Sequence, residues 1–133
     1  MAPPRQSHEI PPVTRAHDLG RNGERAAAHH LEANGWTVLE RGYRLGHKEI
    51  DLVVRKGEVV AFVEVKTRAG VAYGHPLEAI TRAKRGEIAM VARSWVARHG
   101  RPGDVYRFDA VAVLWPDPMA EPQVEHVEDA WRM

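Results

Sequence analysis

Apolar positions recur along the chain in two rhythms, and their order predicts an architecture. From Asp18 to Ala33 the sequence is rich in small residues and poor in β-branched ones. That predicts a helix with Asp18 as its N-cap and Asn34-Gly35 as its stop. Gly20, Gly23, Ala26, Ala27 and Ala28 would let this helix lie close against a sheet. Trp36 to Tyr43 reads as a strand. Glu49 to Val54 and Val59 to Lys66 are β-branched runs flanking Arg55-Lys56-Gly57-Glu58, which is a hairpin signal. Gly70 to Pro76 reads as a loop. Leu77, Ile80, Ile88, Val91 and Trp95 then fall at helical spacing and predict a long helix over about Leu77 to Arg98, stopped at His99-Gly100. Arg107 to Leu114 is a fourth strand ended by Pro116. Val124 to Val127 adds a short edge strand, with the final residues frayed. The order αβββαβ, with a last β, predicts a single α/β domain over residues 15–133. A proline-rich mobile leader, residues 1–14, precedes it.

The hairpin holds the feature that most needs explaining. Acidic residues are depleted in strands and costly to bury, yet Asp51, Glu64 and Lys66 interrupt apolar runs. With Lys56-Gly57 as a two-residue turn, Arg55 faces Glu58, Ile50 faces Val63, Asp51 faces Phe62 and Glu49 faces Glu64. Glu49, Asp51, Val53, Phe62, Glu64 and Lys66 then share one face. Asp51 and Glu64 become diagonal neighbours, roughly 7–8 Å apart at Cα. Two carboxylates so placed reach inward to one divalent cation held at about 2.0–2.1 Å per oxygen. A glycine bulge at the turn would slip the register by one residue and turn Asp51 to the other face relative to Glu64.

Composition narrows the rest. The 133 residues are 44% apolar and 28% charged, which fits one folded domain. Net charge is only +1, so nucleic-acid binding would have to come from a local patch of Lys and Arg. The absence of cysteine excludes disulfides, thiolate zinc sites and cysteine nucleophiles, and fits a reducing compartment. No apolar run suits a signal or a membrane span, so a cytoplasmic protein without membrane contact is expected. No two of the eight histidines lie at i, i+3 or i, i+4, which leaves no zinc motif. Neither a Gly-x-Ser-x-Gly elbow nor a Walker phosphate loop is present.

As a set, Gly23-Glu24, Glu49-Ile50-Asp51-Leu52, Phe62-Val63-Glu64-Val65-Lys66-Thr67-Arg68, Gly74-His75-Pro76, Lys84 and Arg107-Phe108-Asp109 resemble the bacterial YraN-type uncharacterised family. Asp51 with Glu64-x-Lys66 is similar to the signature of the PD-(D/E)xK, or restriction-endonuclease-like, nuclease superfamily. The resemblance covers roughly Asp18 to His126 and is similar in architecture to archaeal Holliday-junction resolvases. It implies a mixed sheet of four or five strands flanked by helices. It also implies a magnesium- or manganese-dependent nuclease acting on DNA rather than RNA, on branched or structured substrates, and working as a homodimer. A catalytically silent nucleic-acid-binding or assembly module on the same scaffold is the alternative function.

The resemblance assigns roles. Asp51, Glu64 and the Val65 carbonyl would ligate the metal, and Lys66 would steer water or stabilise charge on phosphate. Without a metal, the trio is an ion-pair network at a sheet edge. Glu24 matches the helix-borne glutamate that completes the site in resolvases; otherwise it is an exposed helical Glu paired with Arg21 or Arg25. Lys84 sits in the apolar stripe, either reaching over the sheet to the site or snorkelling along the core edge. Arg68, Lys84, Lys48 and His75 are the candidate nucleic-acid contacts, with Arg82, Arg85, Arg93 and Arg98 as further rim or as a solvated face. Arg107 and Asp109 share a strand face and can pair.

Overall fold

In the computed structural model, which describes residues 12–70 and 75–132 (12–17 by backbone alone), a glycine sets the central register. Gly57 has φ 61° and joins β2 (Lys48–Lys56) to β3 (Val59–Arg68). A glycine at positive φ in the first central position suits a two-residue hairpin. The turn is therefore Gly57-Glu58, not Lys56-Gly57, and Lys56 faces Val59. The expected pairing moves accordingly: Leu52 faces Val63 and Val53 faces Phe62. The paired ladder ends at Leu52 and Val63. Continuing that count would set Asp51 directly opposite Glu64.

The sheet has five strands in sequential order. β1 (Thr37–Leu45) pairs antiparallel with β2, β3 runs parallel to β4 (Val105–Leu114), and β5 (Gln123–Trp131) returns antiparallel to β4. The sheet is mixed because α2 (Arg82–His99) carries the chain from β3 to β4 as a crossover. Helix α1 (Pro12–Ala33) covers one face. Its Ala27, Ala28 and Leu31 pack with Leu52, Val54, Ala61, Val63, Val111 and Val113. On the other face Ile88, Val91 and Trp95 of α2 pack with Val53, Val60, Phe62 and Ala110. Ile50 belongs with that second group and Leu52 with the first. Alternation thus changes phase at Asp51, and the six residues expected on one face do not form a continuous one.

Three element boundaries differ from the sequence reading. Helix α1 already includes Pro12, and Asp18 lies inside it, bonded to Arg21 at 3.1 Å instead of capping. The second helix is split: Pro76–Ala79 forms a short 3₁₀ turn, and Thr81 starts α2 by accepting the Lys84 N–H at 3.1 Å. Leu77 and Ile80 still pack on the α2 core cluster. Strand β5 extends to Trp131, which is buried, stacked on Phe108 at 5.5 Å and covered by Arg85 at 5.6 Å, so this end is not frayed. Residues 1–11 of the expected leader and 71–74 of the loop, including Gly74, lie outside the described residues. Among the described residues no helix is long and apolar enough to cross a membrane.

Candidate metal centre

Where the β2–β3 ladder stops, a side chain takes the place of a strand. In a continued ladder the Val65 N–H would turn toward the backbone of β2. Instead it donates to Asp51 Oδ2 at 2.8 Å. The carboxylate is wedged into the fork between the strands, and the fork opens into a cleft of about 500 Å³. Glu24 of α1, Asp51 of β2, Glu64, Val65 and Lys66 of β3, and Lys84 of α2 all line it. Two helices packed on opposite faces thus both reach one site at the end of the sheet.

Glycine controls how close α1 comes. A Cβ on Gly23 would collide with Thr67 Oγ1 and fall 2.8 Å from Thr67 Cβ and Cγ2. Only a bare Cα allows this approach to β3, and it delivers the next residue, Glu24, to the cleft. The expectation of small residues against the sheet holds at Gly23; Gly20 has open space around it.

Glu24, Glu49 and Asp51 each present a carboxylate oxygen within 4.8 Å of the others, a grouping that could hold a metal ion. Glu64 lies outside that trio but lines the same cleft beside Asp51, whose charge acts on it. It is buried, 2% exposed at the side chain, with Oε2 3.6 Å from Lys84 Nζ and 4.0 Å from Lys66 Nζ. Its Oε1 is buried without any hydrogen-bond partner. An orphaned carboxylate oxygen costs folding free energy, and the full cluster of acids compounds it. Burial pushes the Glu64 carboxyl up to about 8, helped by Asp51, and the two lysines only partly offset this. Burial likewise raises Glu24 to about 7, followed by the charges of Asp51 and Glu49. Acids pushed toward their protonated forms, one of them with a spare buried oxygen, fit a hard divalent cation with oxygen ligands.

Among the sequence candidates, Glu24, Asp51, Glu64, Val65, Lys66, Arg68 and Lys84 meet in the cleft. Lys84 reaches Glu64 rather than only snorkelling. Lys48 and His75 are not brought there. Lys48 Nζ lies 3.3 Å from Met90 Sδ on α2, and His75 caps the 3₁₀ turn and contacts Glu125 of β5 at 3.1 Å. Arg85 is committed to Trp131. Arg107 does pair with Asp109, through bonds of 2.9 and 3.1 Å. Asp109 is fully buried and also engages His126 at 2.7 Å and the Asp129 N–H at 3.0 Å. Burial raises its carboxyl, but these bonds outweigh burial and hold it below the usual range. This is a structural hub away from the cleft. Glu49 is the residue that sequence reasoning placed beside the site without giving it a role. It also binds Arg44 at 2.8 Å.

Comparison with known proteins agrees in one respect. The model of a family described as "Uncharacterised protein family UPF0102" matches residues 23–113. A UPF0102 protein of Clavibacter michiganensis is 48% identical over 118 residues, covering 89% of this chain and 99% of its own. One from Chlorobaculum tepidum is 46% identical over 96 residues, covering 72% and 74%. One from Rhodococcus jostii is 41% identical over 113 residues, covering 85% and 95%.

Proposed function

The chain belongs to the UPF0102 family, and from that premise and the cleft we propose a metal-dependent nuclease that hydrolyses phosphodiester bonds in DNA. The observation that carries the reading is the buried, unpartnered Glu64 Oε1, set beside Asp51 and facing two lysines. The resemblance to the PD-(D/E)xK pattern supports it.

Asp51, Glu64 and the Val65 carbonyl would hold magnesium or manganese, with Glu24 and Glu49 adding oxygens from the α1 side. A cation of this kind supplies Lewis acidity and acidifies water. The chain's own contribution is orientation and charge. The Val65 N–H fixes the Asp51 carboxylate in one rotamer. Lys66 Nζ, held near Glu64 Oε2, orients a water against the phosphate, and Lys84 Nζ neutralises charge gathering on the phosphoryl oxygens. Glu24 and Glu64 hold protons while the cleft is without a cation and release them when one binds.

Calorimetric titration with manganese, followed by cleavage assays on linear and branched DNA, tests the proposal. Binding should weaken in Asp51→Asn. Cleavage should vanish in Asp51→Ala and in Lys66→Ala while the fold stays intact. Cleavage that survives both substitutions removes these residues from the mechanism. Manganese binding without cleavage of any substrate would favour a silent binding module instead.

A further inference from the structure

The cleft does not end at its acids. Leu19 and Ala69 line both it and a second cavity of about 520 Å³. Asn22 and Trp115 line both that cavity and a third of about 620 Å³. The three openings therefore abut in series. One stripe of α1 walls the second and third: Leu19, Asn22, Ala26, His29 and Ala33 follow at spacings of three and four. From Leu19 to Ala33 that wall is about 21 Å long, enough for a short run of nucleotides.

The chemistry along the groove suits a single nucleic-acid strand. Trp115 stands between the second and third cavities. Its indole N–H donates to the Ala120 carbonyl at 2.9 Å and its backbone N–H to the Arg68 carbonyl at 2.8 Å, so the ring is pinned. The ring is half-buried against the α1 core cluster, and the part of it that lines both cavities is a fixed stacking surface for a base. Arg25, exposed on the wall of the third cavity, and Arg68, at the cleft, have no carboxylate within 4 Å among the described residues. Arg68 donates only to the Thr67 carbonyl, at 3.3 Å, so neither charge is neutralised by an acid and both can meet phosphates. Asp18 lines the second cavity, where Arg21 pairs with it at 3.1 Å, and Glu121 lines the third. A paired duplex has its bases stacked internally and offers none to a lone ring.

We propose that a single strand of nucleic acid leaves the metal cleft along α1, stacks on Trp115 and lays its phosphates on Arg25, so that the substrate carries an unpaired segment next to the cut. This deepens the nuclease reading and rests on it. The test uses the full chain in metal-free buffer, so that binding is read without turnover. Anisotropy is measured with fluorescein-labelled oligodeoxythymidine and with a blunt duplex of equal length. Arg25→Glu should weaken single-strand binding about tenfold and reduce its salt dependence. Trp115→Ala should weaken it at least fivefold, with Trp115→Phe retaining most affinity. Should Trp115→Ala fail to fold, Arg25→Glu and Trp115→Phe decide. Single-strand affinity unchanged by Arg25→Glu, or an equal loss for the blunt duplex, overturns the strand path. Manganese titration of the same variants keeps the two readings apart. Normal metal binding with no effect on strand binding sinks the groove and leaves the nuclease reading standing. Loss of metal binding in Asp51→Asn with strand binding intact supports both.

Discussion

Adding one methyl group to Gly23 sets two forces against each other. Helix propensity alone favours alanine over glycine by about 1 kcal/mol in a helix interior, so Gly23→Ala would stabilise an unconstrained helix. Here the new Cβ would meet Thr67, whose Oγ1, Cβ and Cγ2 all stand too close. Thr67 is β-branched and stiff at χ1, and its strand is locked to β4 opposite Val113. Overpacking of this kind costs about 1–3 kcal/mol, occasionally more. With three Thr67 atoms too close, the cost falls in the upper part of that range, about 2–3 kcal/mol; less the propensity gain of about 1 kcal/mol, the net effect is a loss of about 1–2 kcal/mol, or roughly 3–8 °C in Tm for a domain of this size. Urea and thermal melts measure it directly. Thr67→Ala removes Oγ1 and Cγ2 and should return part of the loss, which a double-mutant cycle reads as coupling. Because Glu24 follows Gly23, the single variant should also bind manganese more weakly. A Tm that rises in Gly23→Ala, or a loss that Thr67→Ala does not relieve, would refute the close-approach argument.

Other outcomes follow from the same geometry. An unfolded glutamate titrates near 4.5, whereas folded Glu64 holds its proton to about 8. Its contribution to metal-free stability is complete below pH 4.5 and is lost as pH climbs toward 8, at up to about 1.4 kcal/mol per pH unit. Glu64→Gln should flatten that slope between pH 5 and 8, and melts in which wild type and variant fall in parallel would contradict it. Manganese should restore wild-type stability most strongly at pH 8, seen as a larger Tm increase there than at pH 5. Asp109→Asn should cost about 3–5 kcal/mol, because it leaves Arg107 half-buried without its main partner. Calorimetry should nonetheless find its manganese affinity unchanged.

Element order was readable because the two apolar rhythms are clean in both core layers. Asp51, Glu64 and Lys66 stood out because acids and a lysine have no business in apolar strands unless something offsets them. The register was not readable. Lys56-Gly57 and Gly57-Glu58 both suit a turn by composition, and only the pairing of Lys56 with Val59 separates them. The phase change at Asp51 was hidden as well, since alternation arguments assume an unbroken strand. Val124 to Val127 carried the visible part of β5, while Glu125, Glu128 and Asp129 masked its continuation to Trp131. Asp129 takes φ 50° where β5 slips its register against β4, and its N–H thereby reaches Asp109. Lys48 misled through nearness in sequence: three residues before Asp51, it points to Met90 instead. Glu49 was the neighbour to weigh more heavily, two positions from Asp51 on a strand whose regular alternation was about to break.

The wedged carboxylate has a practical corollary for spectroscopy. One amide proton, that of Val65, rests on an oxygen of the very group that would grip an ion. Any change of charge on Asp51 must alter the field at that nitrogen. In a nitrogen-15 correlation spectrum the Val65 cross-peak should therefore act as a native sensor, reporting occupancy of the site before a substrate has been found.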